Sequence, residues 1–160
     1  PLVTAQEATS SGTLTFIGNH SGPLNEEIEV VCKVNDEDTV GPNVAGAIAS
    51  IKATGCTNTA GSCPTPSIEA KNLAWSTELF TLGTVKHNLV TNAFGPQYTV
   101  SCGGGSYKYT CSWNTRPTMT NAPEGVDAKY EATETQTCTH GTGAIVGTEL
   151  IKVAGHELTL

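Results

Sequence analysis

Residues 27–34 read EIEVVCKV, and this stretch limits the fold more than any other. Ile28, Val30, Cys32 and Val34 share one parity, while Glu29 and Lys33 take the other. A period of two marks extended backbone with one buried and one wet face, because successive side chains leave a strand on opposite sides. The pattern recurs. Leu14 and Phe16 alternate in GTLTFIG, Ile68 and Ala70 alternate against Glu69 and Lys71, and Val126, Ala128 and Tyr130 lead a run that reaches Cys138 on the same parity. Residues 77–92 read as two strands broken at Gly83, and 97–113 as a tyrosine-rich hairpin. Gly22-Pro23, Gly41-Pro42, Gly95-Pro96, Gly103-Gly104-Gly105 and Ala122-Pro123 separate the runs, as turn residues do. About ten short strands at even spacing predict an all-β, single antiparallel β-sandwich or flattened barrel, with residues 1–160 as one domain.

Composition agrees. The chain has 25 threonines but only 8 Lys+Arg, and β-branched threonine suits the half-wet face of a sheet. The net charge of −7 disfavours nucleic acid and anionic membrane surfaces as partners. The longest apolar run, residues 44–51, is too short to span a bilayer. The chain begins at Pro1, which reads as a mature form whose signal peptide has been removed.

Six cysteines, Cys32, Cys56, Cys63, Cys102, Cys111 and Cys138, form an even set without a CxxC pair. In such a chain the set reads as up to three disulfides rather than a metal or redox site. Folding the tyrosine-rich hairpin about Ser106 brings Cys102 opposite Cys111, within bridging reach. The other four leave two sets open: Cys56–Cys63 with Cys32–Cys138, or Cys32–Cys56 with Cys63–Cys138.

The phrases EVVCKV, SIKATGC and GSCPTPSIEAKNLAWSTEL resemble secreted, threonine-rich, disulfide-containing β-sandwich proteins of actinomycete-type bacteria. The resemblance covers roughly residues 10–160. Asn72-Leu73-Ala74-Trp75 departs from it by lacking a proline before the tryptophan. It implies secretion and a β-sandwich, and carries over no catalytic residue.

Candidate sites are few. Asn35-Asp36-Glu37-Asp38, with Asn25-Glu26-Glu27 nearby, is the densest acidic cluster. It offers oxygens to calcium, but it reads better as a solvated hairpin turn. Trp75, Trp113, Tyr107 and Tyr109 are the aromatics that a carbohydrate platform would use; their competing role is core packing. Asn19-His20-Ser21 matches a glycosylation acceptor. No GxSxG context or metal-ligand spacing is present, so neither an enzyme nor a cofactor is expected. The leading expectation is a secreted structural or cell-surface protein whose copies self-associate by strand pairing. Residues 1–18 would serve as a donor or edge strand. The alternative is a monomeric module binding carbohydrate or a small apolar ligand.

Overall fold

A computed structural model describes residues 4–19, 27–41, 45–58, 61–92, 94–155 and 157–160; His20 and Ser21 of the sequon lie outside them. The chain is all-β and antiparallel. Its strands are β1 (Gln6–Asn19), β2 (Glu27–Val40), β3 (Ala45–Thr57), β4 (Ser67–Lys71), β5 (Trp75–Leu82), β6 (Val85–Thr91), β7 (Gln97–Cys102), β8 (Tyr107–Ser112), β9 (Thr118–Ala122), β10 (Gly125–Tyr130), β11 (Gln136–Cys138) and β12 (Gly141–Val153). The twelve join in one sheet ordered β1-β2-β3-β5-β6-β9-β10-β12-β11-β8-β7-β4, and β1 also pairs with β12. That last pairing closes the sheet into a flattened barrel.

Four long strands, β12, β1, β2 and β3, run the length of the body, and two sets of short strands complete it. At one end, here the upper half, β5, β6, β9 and β10 bridge from β3 back to the C-terminal part of β12. At the other, the lower half, β11, β8, β7 and β4 extend from the N-terminal part of β12. β4 then packs beside β3 without pairing to it.

The inward parity of β2 runs unbroken through Ile28, Val30, Cys32 and Val34, all buried. β3 changes phase twice. Its pairing with β2 slips between Glu37 and Asp38 and again between Val31 and Lys33. Each slip inserts one residue and turns the next side chain to the other face. Ile48, Ile51, Ala53 and Cys56 therefore all reach the core despite their uneven spacing. Gly55 takes the second slip with φ +59°, a conformation that costs a residue without Cβ little. Between the halves lies an aromatic layer: Trp113 has ring centroids 5.2 Å from Trp75, 5.8 Å from Tyr130, 6.0 Å from Tyr98 and 6.4 Å from Phe16. Such tilted and edge-on pairs add to the stabilisation from burial.

All six cysteines are paired, as Cys32–Cys56, Cys63–Cys102 and Cys111–Cys138. Cys102–Cys111 is not formed, because the hairpin turns on Gly103–Gly105 rather than at Ser106. That register sets Cys102 opposite Tyr107 and Cys111 opposite Tyr98. Cys111 instead faces Cys138 across β8 and β11. Neither expected set for the other four is complete: only Cys32–Cys56 occurs, made by the bulge at Gly55. Cys63 is drawn to β7 by the backbone bond from the Gly103 N–H to the Pro64 carbonyl.

The expectation of a donor or edge strand is also corrected. From Gln6 to Gly18, β1 pairs with β2 on one side, and from Ala8 with β12 on the other. From Ala8 onward it is an interior strand of its own chain, paired along both edges; residues 1–3 lie outside the described residues.

Candidate functional site

The inward parity of β2 continues past Val34 to Asp36 and Asp38, so these residues do not form a solvated turn. Asp36 is only 5 % exposed, while Asn35 and Glu37 on the same strand face solvent. Asp36 enters the upper half opposite Ser10 of β1. Glu149, 2 % exposed, comes in from β12 opposite Gly12 on the other side of β1. Gly12 is the residue that lets the two acids meet across β1. A Cβ there would lie 2.1 Å from the Thr148 carbonyl oxygen and 2.9 Å from the Glu149 Cα, so no larger residue fits.

The result is an internal cluster of three carboxyls: Asp36, Asp38 and Glu149. Ser10, Asn88 and Tyr130 join them around a cavity of about 50 Å³. The Ser10 hydroxyl donates to Asp38 Oδ2, and the Tyr130 hydroxyl donates to Glu149 Oε2 at 3.3 Å. Asp36 receives neither bond. Burial drives its carboxyl far above the usual range, and the charges of Glu149 and Asp38 push it the same way. Burial also raises Glu149, helped by the charge of Asp38 and opposed by its hydrogen bonds from Tyr130 and Asp36. Asp38 is pushed up by burial to about 6, against the pull of its Ser10 bond. The Tyr130 phenol is held well above its ordinary range, chiefly by burial and then by the acids beside it, so it stays a donor. Among the described residues, no three His, Cys, Asp or Glu side chains gather closely enough to hold a metal ion.

Sequence reasoning missed this cluster because four consecutive polar residues resemble a turn by composition. The parity of EIEVVCKV, carried four residues further, was the signal that could have found it. Glu149 had no such signal.

The aromatics named from the sequence do not form a platform. Trp75, Trp113 and Tyr109 are buried; Trp75 sits at 0 % exposure, its Nε1 donating to the Lys71 carbonyl at 2.8 Å. Tyr107 is half-buried beside Tyr109 and His140. The acid cavity, at about 50 Å³, falls far short of the ~300 Å³ typical of ligand pockets. No helix among the described residues is long and apolar enough to cross a membrane. Comparison with family models, with curated proteins and with solved structures finds no match.

Proposed function

We propose that the protein is a structural protein of the cell exterior, a disulfide-held β body whose copies join end to end. The observation that carries this reading is the placement of the exposed large hydrophobic residues among those described. There are four, and they fall at the two ends of one hairpin, β5–β6. Leu82 (66 % exposed) and Val85 flank its turn, while Leu73 and Phe94 (84 % exposed) lie at its base. The base is built rather than loose. Asn92 Nδ2 donates to the Asn72 and Ala74 carbonyls at 2.6 and 2.9 Å, and Asn72 Nδ2 donates to the Gly95 carbonyl at 2.9 Å. A contact between the base of one copy and the tip of the next is heterologous and does not close, so it propagates.

This joint replaces strand addition through residues 1–18, since β1 is already paired on both sides. Three disulfides suit an oxidising compartment, and a charged fraction of 14 % suits a surface meant to pack. Burying what these four partly exposed side chains still show contributes roughly 3–7 kcal/mol, against an association cost of about 4–15 kcal/mol. The joint is therefore weak and concentration-dependent. Sedimentation velocity over a wide concentration range tests it: the native protein forms growing oligomers, and a Leu82→Ser/Phe94→Ser variant does not. A native protein that remains monomeric throughout overturns the reading.

A further inference from the structure

The cavity of the upper half is lined by three acids. Ser10 of β1, Asp36 and Asp38 of β2, Tyr130 of β10 and Glu149 of β12 face the cavity; β3, β5 and β6 contribute Ala47, Ile48, Thr77 and Asn88, which do not titrate. No lysine, arginine or histidine lines it among the described residues. Each carboxyl carries one buried oxygen that no donor reaches: Asp36 Oδ1, Asp38 Oδ1 and Glu149 Oε1. Three anions in that space would repel one another without a counter-charge, and buried charge persists only when compensated. The hydroxyls already divide the roles. Ser10 serves Asp38 and Tyr130 serves Glu149, which leaves Asp36 as the acid that must keep its own proton and donate it to Glu149.

We propose that this cavity is a proton-binding lock: the proton shared by Asp36 and Glu149 holds the upper half shut, and its release loosens the barrel at the β6–β9 seam. The seam is the place to give way because it is the narrowest junction of the upper half. Two ladder pairs cross it, Lys86 with Met119 and His87 with Thr118, extended by the Asn88 N–H donating to the Pro117 carbonyl at 3.2 Å, whereas β5 and β6 are joined by seven residue pairs. Asn88 of β6 lines the cavity and its N–H bonds across that seam, so a cavity widened by repulsion between the acids of β2 and β12 displaces a residue on which the seam depends.

The direction with pH follows from proton counting. In the unfolded chain the acids titrate near 3.8 for Asp and 4.5 for Glu. In the folded protein they keep their protons to higher pH, Asp38 to about 6 and the other pair raised as well. Between those limits the native state binds more protons than the unfolded state, so stability is fully present below the ordinary carboxylate range and is lost as pH rises. The unfolding constant grows about tenfold per pH unit for each proton so held.

Two measurements on the whole chain test this. Infrared spectra of the folded wild type at pH 7 should show the carbonyl stretch of a protonated carboxylic acid; its absence overturns the proposal. Hydrogen exchange, corrected for intrinsic chemistry, should show β6 and β9 losing protection from pH 5 to pH 8 while β7 and β8 keep theirs. Protection that changes equally in both halves, or in neither, also overturns it. The Asp36→Asn/Glu149→Gln variant should lose the infrared band and most of the pH dependence. If it does not fold, the two wild-type measurements still decide. A wild-type protein whose pH dependence vanishes on adding calcium chloride and returns with EDTA would show that the cavity takes a divalent cation, and the lock would be rejected.

Discussion

The two halves of the barrel share four strands and are held by opposite means. All three disulfides tie parts of the lower half or its border: β2 to β3, Cys63 to β7, and β8 to β11. Its interior is aliphatic, aromatic and sulfur, with the Tyr98 hydroxyl donating to buried Gln136. No disulfide crosses the upper half, whose centre is a group of carboxyls. A cross-link restricts the unfolded chain and keeps its effect at any pH where it stays oxidised. A buried acid stabilises only in the protonation state that its surroundings accept. The lower half is thus the permanent part of the molecule and the upper half the conditional one.

The largest effect is expected where the halves meet. Trp113→Ala should cost about 4 kcal/mol in urea unfolding, as loss of a large buried aromatic does. Because its ring touches Phe16, Trp75, Tyr98 and Tyr130, both halves should lose protection together. Loss confined to one would mean that the waist does not couple them. Next is removal of one cross-link. Cys111→Ser with Cys138→Ser opens a span of 27 residues and should cost about 3–4 kcal/mol on loop entropy. Hydrogen exchange should place the damage in β8 and β11 and spare β5 and β6; the reverse distribution would break the contrast between the halves. The smallest effect is at the hairpin tip. Leu82→Ser should change monomer stability by less than about 0.5 kcal/mol, as exposed substitutions do, while weakening self-association. A large loss of stability would mean that Leu82 packs at home rather than on a neighbour.

Much of the fold was legible from the chain. The parity of Ile28, Val30, Cys32 and Val34 gave the buried face of β2, Gly83 marked the β5–β6 turn, and the evenness of the cysteine set gave complete oxidation. The cross-link partners were not legible. A shift of two positions in where one hairpin turns moved Cys111 from Cys102 to Cys138, and no local property of either segment records that choice. The alternation of Ile68 and Ala70 did not reveal that β4 stops at Lys71 and that Trp75 opens the next strand.

The acid cavity marks the same boundary more sharply. By itself, the order of residues determined that the chain alternates, that it forms strands and that its sulfurs come as a set, since period and count are properties of neighbours along the backbone. Only the tertiary structure decided that Asp36 and Glu149 meet, with 112 residues between them in sequence. They do so because β1 lies between their strands and carries glycine at the one position where a side chain would have kept them apart.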